Sequence, residues 1–253
     1  MKRPMQESFQ NIIFFYDGKP NNYIKVCLES FRRHNNVSKI FFFYRNPLIK
    51  FFYKKYNINF IKIDKKQSKN KLLFYKVFCV KKICKKLKDD DLIMVCDVDV
   101  LFQADPFLLF KEFPNYDFYY THCLMSKPES LRKETIWKSV ESKVNGGVWG
   151  LRVSDITREL MSFWIRCEKD DHWKVWEQFS LRKKHLSNGF TDLNWFFDQD
   201  FLNCIDQNEV PLSKKLRKVD IGYKYNYFTS TWGFYNLDLN MGNKIGNSNY
   251  PII

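Results

Sequence analysis

The chain has 253 residues and a formal net charge of +14, from 42 Lys and Arg against 28 Asp and Glu. Apolar residues make up 45% of the sequence, which suffices for a sizeable core and excludes a largely disordered chain. The charge is concentrated. Between Lys50 and Lys88 lie 14 Lys and one acidic residue, Asp64, whereas the rest of the chain holds 28 basic and 27 acidic residues. The sequence therefore describes a nearly neutral protein that carries one basic segment.

Cysteine usage and the start of the chain bear on location. The seven cysteines are scattered among apolar residues without a Cys-x-x-Cys pair, which favours free thiols and a reducing compartment over a disulfide framework. The first apolar stretch, Ile12–Tyr16, is too short for the core of a signal peptide. No run approaches the roughly 20 apolar residues of a membrane span. We expect a cytoplasmic protein without a signal peptide or transmembrane helix.

Apolar runs and helical spacing alternate along the chain. Strands are predicted at Ile12–Tyr16, Ile40–Tyr44, Phe60–Ile63, Leu92–Cys96, Tyr116–Tyr120 and Gly147–Leu151. Helices are predicted at Tyr23–Arg33, Lys71–Leu87, Ser154–Glu168 with Ser154 as N-cap, and Asp198–Ile205. Continuously apolar strands that alternate with helices are typical of a parallel sheet covered on both faces. The sequence predicts one α/β domain.

Two carboxylates follow the most apolar strand. Leu92–Cys96 runs directly into Asp97-Val98-Asp99. In an open parallel sheet, ligands bind outside the carboxyl ends of the strands. Two carboxylates placed there repel each other unless a cation lies beside them, and their hard oxygen atoms suit Mg²⁺ or Mn²⁺. The alternative is an ordinary strand end with two solvated aspartates.

Two later segments have the residue types of a ligand site. Asn145-Gly146-Gly147-Val148 places glycines, which let a backbone approach a ligand closely, beside an amide that both donates and accepts hydrogen bonds. Asp198-Gln199-Asp200-Phe201-Leu202-Asn203 opens a helix with acidic residues in its first turn. Taken singly, the first could be a plain tight turn and the second favourable helix capping.

In this order and spacing, the segments resemble the GT-A-fold nucleotide-sugar glycosyltransferases, and most closely glycosyltransferase family 8, which includes glycogenin and lipopolysaccharide galactosyltransferases. Further similarity lies at Asn22-Tyr23, Ser30–Asn35, Asp105-Pro106-Phe107 and Tyr223–Tyr227, and the resemblance covers residues 11 to 230. It implies a single GT-A domain with a Rossmann-like, mostly parallel sheet flanked by helices. The nucleotide-binding half would span about 1–105 and the acceptor-side half about 106–235, followed by a coil-like tail at 236–253.

The resemblance also implies roles for individual residues. Asp97 and Asp99 would hold Mn²⁺ or Mg²⁺, with Asp97 also near the ribose or the donor sugar. Tyr16 and Asp17 would contact the nucleotide of the donor, for which a UDP-sugar is expected. The remaining implied site residues are Lys76 for the diphosphate or sugar, Asn145, Gly146 and Gly147 for the sugar pocket, and Asp198, Gln199 and Asp200 around the reacting carbon. For Lys76, a place on a solvated helix face is the simpler interpretation.

One departure from the family pattern leaves two points open. Members of family 8 place a late His as the third protein ligand of the metal, whereas the last His here is His185, before the Asp198 helix. Water or Asp238 could replace it, or the chain could belong to a neighbouring GT-A family. Transfer with retention is implied, but an inverting enzyme would need a carboxylate base such as Asp198 or Asp200.

Two other functions compete with sugar transfer. Asp-x-Asp after a buried strand also begins the site of haloacid-dehalogenase-type phosphatases, but Leu101 stands where those enzymes have Thr or Val. The sequence pI of about 9.3 is compatible with nucleic-acid binding, yet no basic-aromatic recognition motif is present and we expect no nucleic-acid partner. The expected partners are the nucleotide-sugar and a glycan acceptor. The helix from Lys71 to Lys88 has one Lys-rich face, which could be merely solvated or could contact an anionic membrane or an anionic glycan acceptor. The segment expected to make the membrane contact is Lys50–Lys88.

Overall fold

The computed structural model describes residues 8–63, 75–121, 144, 146–169 and 198–221. Its strands are β1 (Gln10–Tyr16), β2 (Lys39–Tyr44), β3 (Ile58–Lys62), β4 (Leu92–Cys96), β5 (Phe118–Tyr120), β6 (Val148–Arg152) and β7 (Lys218–Asp220). Its helices are α1 (Asn22–His34), α2 (Leu48–Tyr53), α3 (Tyr75–Cys84), α4 (Leu108–Glu112), α5 (Asp155–Lys169) and α6 (Asp198–Asp206). Short 3₁₀ turns lie at Lys54–Tyr56 and Pro211–Lys214.

The strands form one seven-stranded sheet in the order β3-β2-β1-β4-β6-β5-β7. Strands β1 to β4 are parallel to one another, and β5 is parallel to β7. Strand β6 is antiparallel to both of its neighbours, β4 and β5. The predicted α/β class with a mostly parallel sheet is confirmed, and β6 is the strand that departs from it.

Helices cover both faces of the sheet, and each face has its own apolar core. Helices α3, α5 and α6 pack on one face around Trp149 and Trp164, which are fully buried. Helices α1, α2 and α4 pack on the other face around Phe14 and Phe42. Because both faces are covered, the central strands are apolar throughout, and every residue of β4 is buried.

Helix α3 corrects one expectation about the basic segment. The helix is predicted to be apolar on one face, and Val77, Val80 and Cys84 of that face are buried. Lys76, however, is only 5% exposed, so its placement on a solvated helix face is wrong. Among the described residues, no helix is long and apolar enough to cross a membrane.

Helix α5 begins as its sequence predicts. The Thr157 backbone N–H donates to Ser154 Oγ at 3.4 Å, and the Ser154 N–H donates to Thr157 Oγ1 at 2.9 Å. Two backbone donors at the helix start are thereby satisfied by side-chain oxygens.

Candidate functional site

The carboxyl ends of β1, β2 and β4 lie at one edge of the sheet, which we call the carboxyl edge. Because β6 is antiparallel, its amino end lies at the same edge, with Val148 opposite Cys96. The Asp97 N–H donates to the Gly147 carbonyl at 2.8 Å and extends this pairing by one residue. The topology therefore brings together two predicted site segments, Asp97–Asp99 and Gly146-Gly147, that are separated by about 50 residues in sequence.

A lysine joins these two segments. Lys76 Nζ lies 2.8 Å from Asp97 Oδ1 and donates to the Gly146 carbonyl at 3.0 Å. The Lys76 side chain is 7% exposed and that of Asp97 is 43% exposed. The Lys76 ammonium is thus buried, whereas the Asp97 carboxylate that contacts it is partly exposed to solvent. The buried positive charge fixes the direction of the Asp97 side chain.

The segment that follows Asp97 is held on helix α1. The Phe102 N–H donates to Ser30 Oγ at 3.1 Å, and Asn35 Nδ2 donates to Asp105 Oδ1 at 2.9 Å. Asp99 itself is exposed. The Asp-x-Asp segment is therefore anchored by neighbours on both sides, while the second carboxylate is presented to solvent.

A buried thiol lies behind the two carboxylates. Burial raises the pKa of Cys27 well above its ordinary value, and the nearby carboxylates of Asp99 and Asp97 raise it further.

The donor chemistry of these residues fits part of a divalent metal site. Mg²⁺ is commonly bound through one or two carboxylates and completes its coordination with water and substrate phosphates. Asp97 and Asp99 supply two such carboxylates. Among the described residues, no group of three or more His, Cys, Asp and Glu could hold a metal ion. Asp238 and residues 222–253 lie outside the described residues.

The turn after β1 occupies the next position along the carboxyl edge. Asn21 Nδ2 donates to the Tyr16 hydroxyl at 2.8 Å, and a Cβ atom at position 18 would overlap the Tyr16 ring. Gly18 is therefore required for the ring to lie over this turn. Asp17 faces Arg45, which follows β2, with Asp17 Oδ2 and the Arg45 guanidinium 3.6 Å apart.

Arg45 is a candidate that the sequence prediction missed. It directly follows the end of β2. Because β1 and β2 are parallel neighbours, a residue at this position lies at the carboxyl edge, and the sequence could have indicated it on that ground. Its pairing with Asp17 places a positive charge beside a predicted nucleotide contact.

Helix α6 is connected to the glycine turn through its asparagine. Asn203 is fully buried, and its Oδ1 accepts the Val144 N–H at 3.0 Å. Phe201 stacks on Trp164 with ring centroids 4.2 Å apart. The predicted site residues Asp198, Gln199 and Asp200 form the first turn of this helix, but their side chains, like Asn145 as a whole, lie outside the described residues.

Comparison with solved structures finds distant similarities. The apo form of the glycosyltransferase GlyE from Streptococcus pneumoniae TIGR4 is 14% identical, with 97% of this chain and 53% of that chain covered and a TM-score of 0.48. An active-site mutant of LgtC is 14% identical, with 89% and 81% covered and a TM-score of 0.45. A CMP:2-keto-3-deoxy-manno-octonic acid synthetase is 8% identical, with 94% and 98% covered and a TM-score of 0.46.

These similarities carry no functional argument, because every one of these TM-scores lies below 0.5. The chain spans about half the length of the GlyE structures, 50% and 53%. No curated protein matches the sequence.

A family model gives the decisive comparison. The model described as nucleotide-diphospho-sugar transferase matches residues 47–228, which is well over half of the chain. The matched range contains Lys76, Asp97, Asp99 and the Gly146-Gly147 turn, the residues that converge at the carboxyl edge. The chain therefore belongs to the nucleotide-diphospho-sugar transferase family.

Proposed function

We propose that the protein transfers a sugar from a nucleotide-diphosphate sugar to a hydroxyl group of a glycan acceptor, in a reaction that depends on Mn²⁺ or Mg²⁺. The observation that carries this proposal is the contact of Lys76 with both Asp97 and the Gly146 carbonyl, within a chain of this family. The family match also favours sugar transfer over a phosphatase of the haloacid dehalogenase type and over nucleic-acid binding.

In this proposal Asp97 and Asp99 hold the cation. The cation, when bound, neutralises the diphosphate and so makes it a better leaving group. Lys76 fixes the Asp97 carboxylate and adds positive charge at the same edge. A positive charge held in place before the substrate arrives stabilises negative charge that develops during bond cleavage.

Tyr16 and Asp17 would contact the base and ribose of a donor, with a UDP-sugar expected. The hydrogen bond from Asn21 to the Tyr16 hydroxyl and the pairing of Asp17 with Arg45 restrict both side chains before substrate binds. Preorganised contacts of this kind reduce the entropy lost on binding.

Asn145, Gly146 and Gly147 would line the donor-sugar pocket, and Asp198, Gln199 and Asp200 would lie around the anomeric carbon. The tether from Asn203 to Val144 supports a common location for the two segments, because it joins the helix to the residue just before the glycine turn. We propose that transfer retains the configuration of the anomeric carbon, as in glycosyltransferase family 8. We also propose that residues from about 1 to 105 form the nucleotide-binding half of the domain.

Ligand-induced thermal stabilisation tests donor binding. Unfolding temperature would be followed with UDP, GDP and CDP and their sugars, each with and without Mn²⁺. We expect one nucleotide series, UDP foremost, to raise the unfolding temperature only when Mn²⁺ is present, because ligands that bind the folded state stabilise it by mass action.

The matched variants are Asp99→Asn and Asp155→Asn. Asp155 has a fully exposed carboxylate that follows β6 at the opposite edge of the sheet. The first variant should lose the Mn²⁺-dependent stabilisation, while the second should retain it. Stabilisation by none of the nucleotides, or equal stabilisation of Asp99→Asn, would contradict the proposal.

A further inference from the structure

Helix α2 carries apolar side chains on two sides. Ile49 and Tyr53, one turn apart, are buried against the sheet. Leu48, Phe51 and Phe52 are 49%, 67% and 55% exposed. Positions 48, 51 and 52 follow the three- and four-residue spacing that aligns side chains on one helix face. Contiguous exposed apolar side chains, unlike ones scattered singly, are a feature of surfaces that contact other molecules.

Positive charge surrounds these exposed apolar side chains of α2. Residues 45–63 include Arg45, Lys50, Lys54, Lys55 and Lys62 and no acidic residue. Lys50, Lys54 and Lys55 are exposed, and Lys54 Nζ lies 5.9 Å from the centre of the Phe51 ring. Two acidic residues pair with this group: Asp17 lies 3.6 Å from Arg45, and Glu29 of α1 lies 3.8 Å from Lys55, with the Glu29 and Lys55 side chains largely exposed. The surface thus combines aromatic rings with a net positive charge.

We propose that the α2 surface, defined by Leu48, Lys50, Phe51, Phe52 and Lys54, binds an anionic lipid bilayer. Aromatic and Leu side chains enter the boundary between headgroups and acyl chains, while lysines remain at the level of the lipid phosphates. Both components are required: the rings supply apolar area, and each lysine near an anionic surface adds electrostatic attraction.

Size favours a bilayer over a protein partner. A stable protein interface buries roughly 800 Å² on each side. A Phe side chain buries at most about 150–250 Å², and the rings here are already partly covered. Three apolar side chains therefore cannot supply a protein interface by themselves. At an anionic bilayer, the electrostatic attraction of the flanking lysines adds to the contribution of the inserted apolar area.

The α2 surface is fixed relative to the carboxyl edge. Tyr53, at the end of α2, accepts the Asn21 N–H at 3.1 Å and donates its hydroxyl to the Asn21 carbonyl at 2.7 Å. Asn21 in turn holds Tyr16. A bilayer bound at α2 would therefore lie beside the candidate site. The sequence suggested a membrane contact anywhere within Lys50–Lys88, and the proposal assigns that contact to α2.

Vesicle sedimentation tests the proposal. The full chain would be mixed with vesicles of phosphatidylcholine alone or with about one-third phosphatidylglycerol, and the bound fraction measured at two salt concentrations. We expect binding to the anionic vesicles that weakens as salt is added, because surface charge is screened. Phe51→Ser/Phe52→Ser should reduce the partition coefficient at least about tenfold, and Lys50→Glu/Lys54→Glu by a similar factor.

Two control variants separate this surface from general effects. Phe9→Ser removes a ring that is 53% exposed before β1, at the opposite edge of the sheet. Lys85→Glu/Lys86→Glu reverses two exposed charges after α3, also at that edge. Both should bind anionic vesicles within about twofold of the parent chain if the α2 surface is the one that binds.

Three results would contradict binding of a bilayer at the α2 surface. Absence of binding to anionic vesicles would overturn the proposal. So would equal losses in the control and α2 variants. A concentration-dependent dimer that the Phe51→Ser/Phe52→Ser variant abolishes, without vesicle binding by the parent chain, would assign the surface to self-association instead. Circular dichroism of each variant ensures that a loss of binding is not a loss of fold.

Discussion

Replacing Lys76 by Met separates the structural contribution of this residue from its contribution to function. The substitution removes the ammonium group that contacts Asp97 Oδ1 at 2.8 Å and the Gly146 carbonyl at 3.0 Å, and it keeps an unbranched side chain in the buried position. Breaking a fully buried ion pair costs about 3–5 kcal/mol. Here the Asp97 side chain is 43% exposed, so water can solvate the carboxylate that remains.

The expected loss of stability is therefore modest. Burial of an ammonium is itself costly, and the methionine avoids that cost. We expect a decrease of about 1–2 kcal/mol in the free energy of unfolding. For a domain of this size, that change lowers the unfolding temperature by about 2–8 °C.

The expected loss of activity is larger. Without the ammonium, the direction of the Asp97 carboxylate is no longer fixed, although the backbone bond from the Asp97 N–H to the Gly147 carbonyl remains. Misplacement of site groups by about 1 Å costs on the order of 100-fold in rate. We expect kcat/KM for nucleotide-sugar turnover to fall by about that factor. The measurements are thermal unfolding and release of nucleoside diphosphate.

Lys82→Met is the matched control. Lys82 lies on the same helix, six residues and about 9 Å further along its axis, and is partly buried. It should change activity by less than about threefold. If Lys76→Met also retains activity within about threefold while the unfolding temperature falls, Lys76 has only a structural role and our account of the carboxyl edge is incorrect.

Substitutions at Asn203 and Arg217 and the chemistry of the buried thiols test further parts of the structure. Asn203→Ala should cost about 1–3 kcal/mol, seen as a lower midpoint in urea, because a buried backbone N–H loses its acceptor; an unchanged midpoint would refute the tether. Burial opposes ionisation of Asp117, but hydrogen bonds from Arg217 outweigh this effect and lower the pKa of the carboxyl. Arg217→Ala should therefore lower the free energy of unfolding by about 1 kcal/mol near pH 7 and by less near pH 3, where the carboxyl of the unfolded state is protonated. An equal loss at both pH values would refute this assignment. Burial raises the pKa of the Cys84 thiol from 9.0 to about 12, so the contribution of this thiol to stability should decline as the pH rises from 9 towards 12. Because Cys27 and Cys84 are buried, both should react slowly with iodoacetamide in the native protein at pH 8. Rapid labelling without unfolding would contradict their burial.

The central strands could be predicted from sequence because they are covered on both faces. Strand β4 is a continuous apolar run, and burial of all of its residues explains why the run has no polar alternation. The structure extends β1 by two residues beyond the predicted Ile12, to Gln10, since backbone pairing continues past the apolar residues.

The direction of β6 could not be predicted in the same way. Its residues, Val148–Arg152, are apolar like those of a parallel strand, and direction depends on the connection from β5, which sequence periodicity does not describe. Helix α2 was missed because six residues are too few for a periodic pattern, and its exposed Phe51 and Phe52 resemble core residues in sequence.

Part of the candidate site could also be predicted from the sequence, and part could not. Asp97 and Asp99 are evident from their position after a buried strand, as are the glycines before β6. Lys76 is one of 14 lysines in its segment, and its burial against Asp97 is a contact that the local sequence does not indicate. The role of Asn203 likewise depends on a contact across 59 residues of sequence, which no local pattern encodes.

Turnover of a nucleotide-sugar is the measurement that tests the account most directly. The chain would be incubated with a panel of nucleotide-sugars and Mn²⁺, and release of nucleoside diphosphate would be followed with and without a chelator. We expect release from at least one donor, its loss on chelation, and its loss in Asp97→Asn and Asp99→Asn variants that remain folded. Release that persists in the chelated enzyme or in both variants, or no release from any donor, would contradict it.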